Sequence, residues 1–499
     1  MQSGQTRLLI FIVAYNAERH IQSVLNRIPK TDLEQYDYEI LIIDDQSKDA
    51  TFEKALDYQK ANPGLNITVL YNPENQGYGG NQKLGYHYAS IHNFDVVLLL
   101  HGDGQYAPEE FNRLVSPISN GNADAVFGSR MMNKKDALKG KMPYYKFLGN
   151  IVLTRMQNYI LGTDLSEFHS GYRAYRVKSL SRLPIERNSN DFHFDTQIII
   201  QLVMAKMKIH EVPIPTHYGD EICYVNGTKY AFNIMKASVH SRLQQMGIYY
   251  KREYDLDQLK STYNLKKNYL SSHSLLLNKI QDGSRILELG GGNGIISAGF
   301  VEKKCDITVV DKSSSSNAPT HFIQLKDLHD FSTLPPVNNF DYILLLDILE
   351  TMEQPELFLD NLRVYTKLNS PPIFISVANI AFFITRFQLL FGGFNYGRKG
   401  ILDLNHKRLY TLKSIKKLCV QSGMKIEKVY CIPAPYPEAI GLNSKSKILI
   451  TINTFLIKLS KGLFSYEYVL QIRANPVVSN LIKHSIQASE VRKENHYSI

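Results

Sequence analysis

The N-terminal stretch reads Leu8-Leu-Ile-Phe-Ile-Val13-Ala14, and the polar run Tyr15-Asn16-Ala17-Glu18 follows it immediately. An apolar run without polar alternation is typical of a strand buried on both faces, as in a parallel sheet covered by helices. Four further runs of this kind follow, at Tyr38–Ile43, Asn66–Leu70, Asp95–Leu100 and Ala123–Phe127. Helical periodicity separates them, over Ala17–Ile28, Asp49–Ala61 and Glu109–Ser119. This alternation predicts an α/β fold with a mostly parallel sheet.

The same alternation starts again in the second half of the chain, at Ser284–Leu289. It continues through Asp306–Val310, Phe340–Leu346 and Pro372–Val377. A charged stretch without strand signals, such as Lys251–Asp257, lies between the two patterns. We therefore expect one domain over residues 1–250, a linker over 251–270 and a second α/β domain over 271–445. Residues 446–499 are expected to form a C-terminal helical extension and a polar tail.

Composition excludes several classes of protein. The chain has 499 residues, of which 44% are hydrophobic and 21% charged, so it is neither a disordered chain nor a fibrous repeat. Its formal charge of +10 suits phosphate-bearing ligands or an anionic membrane surface, and we expect no nucleic-acid partner. The four cysteines form no CxxC pair, which argues against a disulfide framework or a cysteine zinc site. A reducing cytoplasm is the expected compartment.

Two apolar stretches are too polar to be convincing membrane spans. Pro371–Phe394 contains Arg386, and Ile448–Leu463 contains Lys458 and Lys461. A spanning helix needs about 20 predominantly apolar residues with few charges. We expect buried or interfacial elements instead, and a cytoplasmic protein that is at most peripheral at the inner face of the membrane.

Polar residues follow several of the predicted strands of the first domain. Asp44 and Asp45 follow the second strand, and His101-Gly-Asp103-Gly-Gln105 follows the fourth. Between them, Asn75–Asn81 is a glycine-rich turn that opens a helix. Open α/β sheets bind ligands at the carboxyl ends of their strands, where glycine amides can approach a phosphate and carboxylates can hold a divalent cation. The pattern therefore predicts a nucleotide site.

These motifs together resemble family 2 glycosyltransferases with the GT-A fold, of the dolichyl-phosphate mannosyltransferase-like kind, over residues 5–247. The matching elements are Val13-x-Tyr15-Asn16-x-Glu18, Asp44-Asp45-x-Ser47-x-Asp49-x-Thr51, Asn75-x-Gly77-x-Gly79, Gly128-Ser129-Arg130 and Ser170-Gly171-Tyr172-Arg173. The resemblance implies nucleotide-sugar contacts from Ala14, Tyr15, Asn16, Glu18, Asp44, Asp45, Gly77, Gly79, Asp103, Arg130 and Arg173. It also implies a Mn²⁺ or Mg²⁺ ion held by His101, Asp103 and Gln105. His101 departs from the family, which usually has an aspartate at this position.

The implied chemistry is inverting transfer of a sugar from a nucleotide diphosphate, with the metal neutralising the departing diphosphate. Asp195, in Phe192–Gln197, is the candidate base if the acceptor is a glycan hydroxyl. A polyprenyl phosphate acceptor is already an anion and needs no base, in which case Asp195 only orients cationic groups. Cationic and aromatic residues interleave over Gly128–Phe147, which is either a solvated loop or a membrane-facing acceptor flap. Its cations are Arg130, Lys134, Lys135, Lys139, Lys141 and Lys146.

The second domain opens with a strand and a glycine turn that contains Glu288, Gly290, Gly292 and Gly294. The spacing differs from a dinucleotide fingerprint, which would need glycine at Ile295. It resembles motif I of class I S-adenosylmethionine-dependent methyltransferases, with a Rossmann-like fold over residues 270–440. The resemblance implies S-adenosylmethionine contacts from Glu288, Gly290, Gly292 and Gly294, from Asp311 to the ribose, from Asp327 to the adenine, and from Asp347. Thr351 stands where a histidine is usual.

Methylation of a sugar hydroxyl would benefit from a base, and His406 close to Asp403 is the candidate, although a lone histidine is often structural. The sequence as a whole predicts a bifunctional enzyme that glycosylates a glycan or lipid-linked acceptor and methylates a glycan-related one. Two alternatives stay open. One is a polyprenyl-phosphate glycosyltransferase with an independent methyltransferase domain, and the other is a non-catalytic ligand-sensing scaffold, which His101 and Thr351 favour.

Overall fold

The computed structural model describes residues 5–140, 142–215, 226–247, 249–256, 265–292, 294–312, 321–366, 368 and 370–497. Within them the chain divides into two compact units, one preceding residue 257 and one following residue 264, with the segment 245–249 grouped with the second. Residues 257–264 of the predicted linker and Lys141 of the cationic cluster lie outside the described residues.

The first unit contains a seven-stranded sheet in the order β3-β2-β1-β4-β6-β5-β7. The strands are β1 Arg7–Ala14, β2 Asp37–Asp44, β3 Ile67–Tyr71, β4 Val96–His101, β5 Ala125–Ser129, β6 Arg173–Arg176 and β7 Ile209–Pro213. The helices are α1 Ile21–Asn26, α2 Lys30–Leu33, α3 Thr51–Ala61, α4 Tyr78–Ile91, α5 Phe111–Ser119, α6 Lys134–Lys139, α7 Tyr144–Leu161, α8 Val177–Leu180, α9 Phe194–Met204 and α10 Gly227–Gln245. Only β6 runs antiparallel to its neighbours, so the expected mostly parallel sheet is confirmed.

Helices cover both faces of this sheet, as the apolar strands require. Leu8, Ile10 and Ile12 of β1 pack into one buried cluster, whereas Leu9 and Phe11 pack into a second cluster on the opposite face. This alternation follows from the two-residue period of a strand. Polar strand ends are thereby left as the part of the sheet open to ligands.

The first helix is shorter than the sequence predicts. Residues Asn16 to His20 precede α1 because their backbone groups bond across to the loop after β2. The N–H of Ala17 donates to Thr51 Oγ1 at 2.7 Å, and the N–H of Asn16 donates to Ser47 Oγ at 2.8 Å. The motif residues after β2 thus fix the loop after β1.

The second unit contains a seven-stranded sheet in the order β10-β9-β8-β11-β12-β14-β13. Its strands are β8 Arg285–Leu289, β9 Asp306–Asp311, β10 His321–Gln324, β11 Tyr342–Leu346, β12 Ile373–Ala378, β13 Met424–Ile432 and β14 Glu467–Ala474. Its helices are α11 Ser272–Lys279, α12 Ile295–Val301, α13 Pro355–Thr366, α14 Phe383–Leu390, α15 Leu412–Gln421, α16 Tyr436–Ile440, α17 Ser444–Leu459, α18 Lys461–Phe464 and α19 Val478–Tyr497.

The segment after residue 445 is only partly the helical extension that the sequence predicts. β14 enters the sheet antiparallel between β12 and β13, with Glu467 opposite Ala378. Its residues Tyr468 to Leu470 are fully buried. The prediction missed this strand because EYVLQIRA is short and carries Glu467, Gln471 and Arg473. Among the described helices, none is both long and apolar enough to cross a bilayer.

Candidate active sites

The glycine-rich turn of the first unit is held by Asp45. Its Oδ1 accepts the N–H of Gln76 at 2.8 Å and its Oδ2 accepts the N–H of Gly77 at 2.9 Å. Asn72 adds a third bond to Oδ1 at 2.7 Å. Asp45, predicted to contact the nucleotide, therefore uses its carboxylate for hydrogen bonds within the protein that fix the turn.

Gly77 and Gly79 are needed for close packing of this turn on residues 189–194. Gly77 has a φ of +77°, and a Cβ there would lie 2.7 Å from the Asn190 carbonyl oxygen. The N–H of Gly79 donates to that same carbonyl at 2.8 Å. Both amides are thus committed within the protein, so the structure gives these glycines a packing role where the sequence suggested a phosphate cradle.

Asp44 provides an unsatisfied group at the carboxyl end of β2. Its Oδ1 accepts the hydroxyl and the N–H of Ser47, the latter at 3.3 Å. In the described part of the chain its buried Oδ2 has no hydrogen-bond partner. Burial raises the pKa of Asp44. A ligand with an N–H or O–H donor would complete this carboxyl, because an unpaired buried acceptor is costly.

The other predicted donor contacts surround this strand end. Ala14 accepts the N–H of Asp45 through its carbonyl at 2.9 Å. Asn16 Oδ1 accepts the N–H of Lys48 at 2.9 Å, and Glu18 Oε2 accepts the N–H of Ala50 at 3.2 Å. Tyr15 stays exposed. Asn16 and Glu18 therefore stabilise the loops, whereas the ring of Tyr15 faces solvent.

His101 belongs to a buried hydrogen-bonded chain. The Tyr78 hydroxyl donates to Asp195 Oδ2 at 2.9 Å and lies 3.1 Å from His101 Nε2. Because a phenol has one proton, His101 must present Nε2–H to the Tyr78 oxygen. Burial lowers the pKa of His101, which fits a neutral imidazole. Its Nε2 is therefore not a free metal ligand.

The remaining predicted metal ligands are adjacent in sequence. Asp103 Oδ1 accepts the N–H of Gln105 at 3.0 Å. Within the described ranges, no three His, Cys, Asp or Glu side chains converge as a metal site. Carboxylate and carbonyl oxygens suit Mg²⁺ or Mn²⁺, so Asp103 and Gln105 fit such an ion better than His101 does.

Arg173 and Asp195 form a buried ion pair. The Arg173 guanidinium is 1% exposed and donates to the carbonyls of Ser170 at 2.7 Å, Phe168 at 3.0 Å and Asp195 at 3.1 Å. It lies 3.7 Å from Asp195 Oδ1, which also accepts from Gln82 at 3.1 Å. Arg173 is thus a structural cation, and the side chain of Asp195 already has a donor on each oxygen.

Arg130 is similarly paired. It contacts Glu167 through its side chain, with Nε 2.9 Å from Oε1, and through its backbone N–H at 2.7 Å. Burial alone would raise the pKa of Glu167, but Arg130 brings it below its ordinary value. Neither predicted arginine is therefore free to bind a diphosphate in this arrangement.

The glycine turn of the second unit has the geometry expected of a ligand-binding turn. Gly290, Gly292 and Gly294 all have positive φ values, of 75°, 51° and 65°. A Cβ at Gly292 would meet no atom within 4 Å, and its N–H donates to Asp311 Oδ2 at 2.8 Å. The turn and the acid at the end of β9 are therefore brought together, with open space above Gly292.

Glu288 lies beneath this turn and is buried. Its carboxyl accepts the Ser297 hydroxyl, and burial raises its pKa to about 7. At the neighbouring strand end, Asp347 Oδ1 accepts the Ser376 hydroxyl at 2.6 Å. Asp327 is 62% exposed and accepts His329 Nδ1 at 2.8 Å. The predicted methyl-donor residues thus follow β8, β9, β10 and β11 at one edge of the sheet.

His406 is held in a loop that contacts the end of β11. Its Nδ1 lies 3.1 Å from the Ile401 carbonyl oxygen, which can only accept, so Nδ1 carries the proton of this hydrogen bond. Asp403 does not orient that ring, because its Oδ1 accepts from Asn405 at 2.8 Å. The N–H groups of Lys407 and Arg408 donate to the Glu350 carbonyl at 2.7 and 3.0 Å.

Sequence reasoning missed two buried carboxyls near Asp347. Glu350 Oε2 and Glu467 Oε1 are buried without a hydrogen-bond partner among the described residues. Burial raises the pKa of both, and the charge of Asp347 adds to it; the pKa of Glu467 reaches about 8. Glu350 follows Asp347 by three residues in the sequence, whereas Glu467 comes from strand β14, which was not predicted from the sequence.

Comparison with known proteins gives one family match for each half of the chain. The family model of Glycosyl transferase family 2 matches residues 9–183, and that of a methyltransferase domain matches residues 262–429. A UDP-N-acetylglucosamine–dolichyl-phosphate N-acetylglucosaminyltransferase of Methanococcus voltae is 30% identical over 224 residues, which are 43% of this chain and 86% of that protein. The chain belongs to glycosyl transferase family 2. Its second unit contains a methyltransferase domain.

Two further similarities extend over the same units of this fused transferase. A polyprenol monophosphomannose synthase of Mycolicibacterium smegmatis is 24% identical over 209 residues, 42% of this chain and 76% of that protein. The solved structure of a SAM dependent methyltransferase from Archaeoglobus fulgidus is 17% identical, with a TM-score of 0.28, and covers 41% of this chain and 95% of that one.

Replacement of Glu288 tests its buried protonation. The folded carboxyl keeps its proton up to about pH 7, whereas an ordinary glutamate loses it near 4.5, so folding takes up a proton between these values. The stability present below pH 4.5 is lost as the pH rises through 7, by up to roughly 3 kcal/mol. We expect Glu288→Gln to gain stability relative to the native chain over this range. Calorimetric unfolding would measure this, with exposed Glu302→Gln as the control, and parallel pH curves for the native chain and Glu288→Gln would contradict the assignment.

Proposed function

We propose that the first unit transfers a sugar from a nucleotide diphosphate sugar to a polyprenyl phosphate, and that the second unit methylates a glycan-related acceptor with S-adenosylmethionine. The contacts of Asp195 are the observation that favours a phosphate as the sugar acceptor. Both oxygens of this carboxylate accept protein donors, from Tyr78 and Gln82, and Arg173 needs its charge. A phosphate acceptor needs no base, whereas a hydroxyl does.

The relatives support the same acceptor class. The names of the proteins from Methanococcus voltae and Mycolicibacterium smegmatis refer to dolichyl phosphate and to polyprenol monophosphomannose. The alignment with the Methanococcus voltae protein spans 86% of that protein. A polyprenyl phosphate is thus the acceptor that both the contacts of Asp195 and the relatives favour.

The donor would occupy the carboxyl ends of β1, β2 and β4. The unpaired Asp44 Oδ2 suits an N–H of a nucleobase, and the exposed ring of Tyr15 lies at the end of the neighbouring strand. A divalent cation would be held by Asp103 and Gln105. Such ions are commonly held by one or two carboxylates together with substrate phosphates, and they stabilise the departing diphosphate.

Helix α7 offers a surface for the lipid part of the acceptor. Its buried residues are Asn150, Thr154, Gln157 and Leu161, whereas most of its exposed side chains are apolar. The exposed apolar residues are Tyr144, Tyr145, Leu148, Val152, Met156 and Tyr159, and Arg155 is exposed among them. Asn150 also donates to Glu167 at 2.7 Å, next to Arg130. The exposed residues Tyr144 and Tyr145 belong to the predicted flap and the others follow it on α7, which supports lipid contact at the C-terminal end of the flap, because large exposed apolar surfaces mark contact with lipid or protein.

The methyl donor would bind at the turn of Gly290 to Gly294, with Asp311 at the ribose. When bound, S-adenosylmethionine supplies an activated methyl group on a sulfonium. The chain must then place the acceptor atom in line with that methyl and, for a hydroxyl, accept its proton. His406 suits the second task because its Nδ1–H is directed to the Ile401 carbonyl, which leaves Nε2 with a lone pair.

Asparagine at position 195 separates the two kinds of sugar acceptor. We expect Asp195→Asn to retain transfer to polyprenyl phosphate within about tenfold, because loss of a general base costs 10²–10⁴-fold. Some loss of thermal stability is expected, since buried Arg173 loses its counter-ion. The rate, the unfolding temperature and nucleotide binding would be compared with Asp191→Asn, which removes a nearby carboxylate. A fall of a hundredfold or more with intact folding and nucleotide binding would show that Asp195 is the base of a hydroxyl acceptor.

Replacement of His406 tests the methyl-transfer site. We expect His406→Asn to reduce methyl transfer by about a hundredfold or more, because it removes the only proton acceptor assigned to the reaction. Binding of S-adenosylmethionine should be unchanged, since the residues proposed to bind it lie at the ends of strands β8 to β11 and His406 lies in a separate loop. Labelled methyl incorporation and calorimetric binding would be measured beside exposed His321→Asn. An unchanged rate would mean that the bond from His406 to Ile401 is its whole role.

A further inference from the structure

Helix α17 of the second unit has its polar side inside and its apolar side outside. Buried Asn453 anchors it, since its Oδ1 accepts the N–H of Ala434 at 2.9 Å and its Nδ2 donates to the Phe464 carbonyl at 2.8 Å. Ile448, Ile452, Phe455 and Leu459 are instead 50–68% exposed. Their spacing of four, three and four residues places them on one stripe of the helix. An exposed apolar stripe of this kind makes no contribution to the packing of the helix, and such surfaces mark interaction sites.

A second exposed apolar group comes from α14 and the turn after it. Phe387, Leu390, Phe391 and Phe394 are 48–78% exposed. The two groups are connected through α18, because the rings of Phe383 and Phe464 lie 5.8 Å apart. We call the four residues on α17 and these four the apolar patch.

The apolar patch is connected to the end of the sheet at which the predicted methyl-donor residues lie, namely the carboxyl ends of its parallel strands. α14 follows the carboxyl end of β12, at Ala378, and α18 leads into β14 at Glu467, which is paired with Ala378. Asn379 locks the two connections together, with its Nδ2 donating to the carbonyls of Gly462 at 3.0 Å and Ser465 at 2.7 Å. Asp347, at the end of the adjacent strand β11, belongs to this same edge. An acceptor presented from the patch would therefore arrive at the methyl-donor edge.

The two segments that carry the patch contain charges of one sign only, although Asp403, Glu438 and Glu467 directly adjoin them. The segments 379–402 and 439–466 contain no aspartate or glutamate. Their cations are Arg386, Arg398, Lys399, Lys445, Lys447, Lys458 and Lys461. Large exposed apolar residues on segments whose only charges are lysine and arginine are complementary to an anionic lipid surface, in which the rings enter the acyl boundary and the cations meet the headgroups.

We propose that the second unit docks on an anionic bilayer through the apolar patch, so that its methyl acceptor is a lipid-anchored sugar. The inference rests on the proposed methyl transfer for the nature of the acceptor, but the docking itself needs no activity. It also assigns residues after 440 to substrate access.

The chain has no tryptophan, so a single introduced one reports its own surroundings. Phe455→Trp and Phe391→Trp would be placed in the full chain, with Val420→Trp and Val364→Trp as controls. The control positions are also exposed, but they lie near the start of β13 and the end of α13, at the opposite edge of the sheet. Each variant would be mixed with vesicles of brominated phosphatidylcholine, with or without phosphatidylglycerol.

We expect the emission of Phe455→Trp and Phe391→Trp to shift to shorter wavelength and to be quenched by brominated vesicles that contain phosphatidylglycerol. The controls should show neither change. Adding Lys447→Gln and Lys458→Gln to Phe455→Trp should raise the lipid concentration required by roughly tenfold or more.

Two results would overturn the proposal. Quenching of Tyr145→Trp on α7, with none at positions 455 and 391, would mean that only the first unit meets the bilayer. A blue-shifted emission without vesicles, lost on dilution, would mean that a second copy of the chain covers the patch. Calorimetric binding of S-adenosylmethionine by the same variants distinguishes this failure from failure of the proposed methyl transfer, because docking can be absent while the donor still binds.

Discussion

The buried charge of Arg173 determines the packing around Asp195 in the first unit. A guanidinium without water must find its hydrogen bonds and its counter-ion within the protein. Arg173 finds them in the carbonyls of Phe168 and Ser170 and in Asp195, and so ties β6 to α9. Asp195 in turn accepts a hydrogen bond from the Tyr78 hydroxyl, whose oxygen accepts one from His101. Both oxygens of Asp195 are thus engaged by protein donors, and the proposed phosphate acceptor requires no base from it.

The second unit buries acidic groups where the first unit buries a cation. Its carboxyls Glu288, Glu350 and Glu467 are buried at the carboxyl edge of the sheet, and burial raises the pKa of each. Two of them keep an oxygen without a partner in the described part of the chain. A positive charge bound at this edge would lower the pKa of such groups, because a nearby opposite charge favours the ionised form. The same edge carries the apolar patch, so donor chemistry and lipid contact are placed together.

Much of this arrangement could be predicted from the sequence. Unbroken apolar runs such as Leu8–Ala14 indicated buried parallel strands, and fixed motifs indicated which loops meet at their ends. The roles of individual residues were harder to predict, because they depend on contacts distant in sequence. Asp45 looks like a ligand contact until its bonds to Gln76 and Gly77 are seen. Similarly, β14 carries polar residues that weaken its strand signal, and this concealed Glu467.

The most direct test follows the product of both units in one reaction. The full chain would be incubated with labelled UDP- and GDP-sugars, Mn²⁺ and polyprenyl phosphate, and then with S-adenosylmethionine, beside an Asp103→Ala control. We expect label in the organic phase with the native chain and none with the control, followed by a gain of one methyl group in the mass of that product. The absence of an organic-phase product from every donor would contradict the lipid-phosphate acceptor on which the account depends.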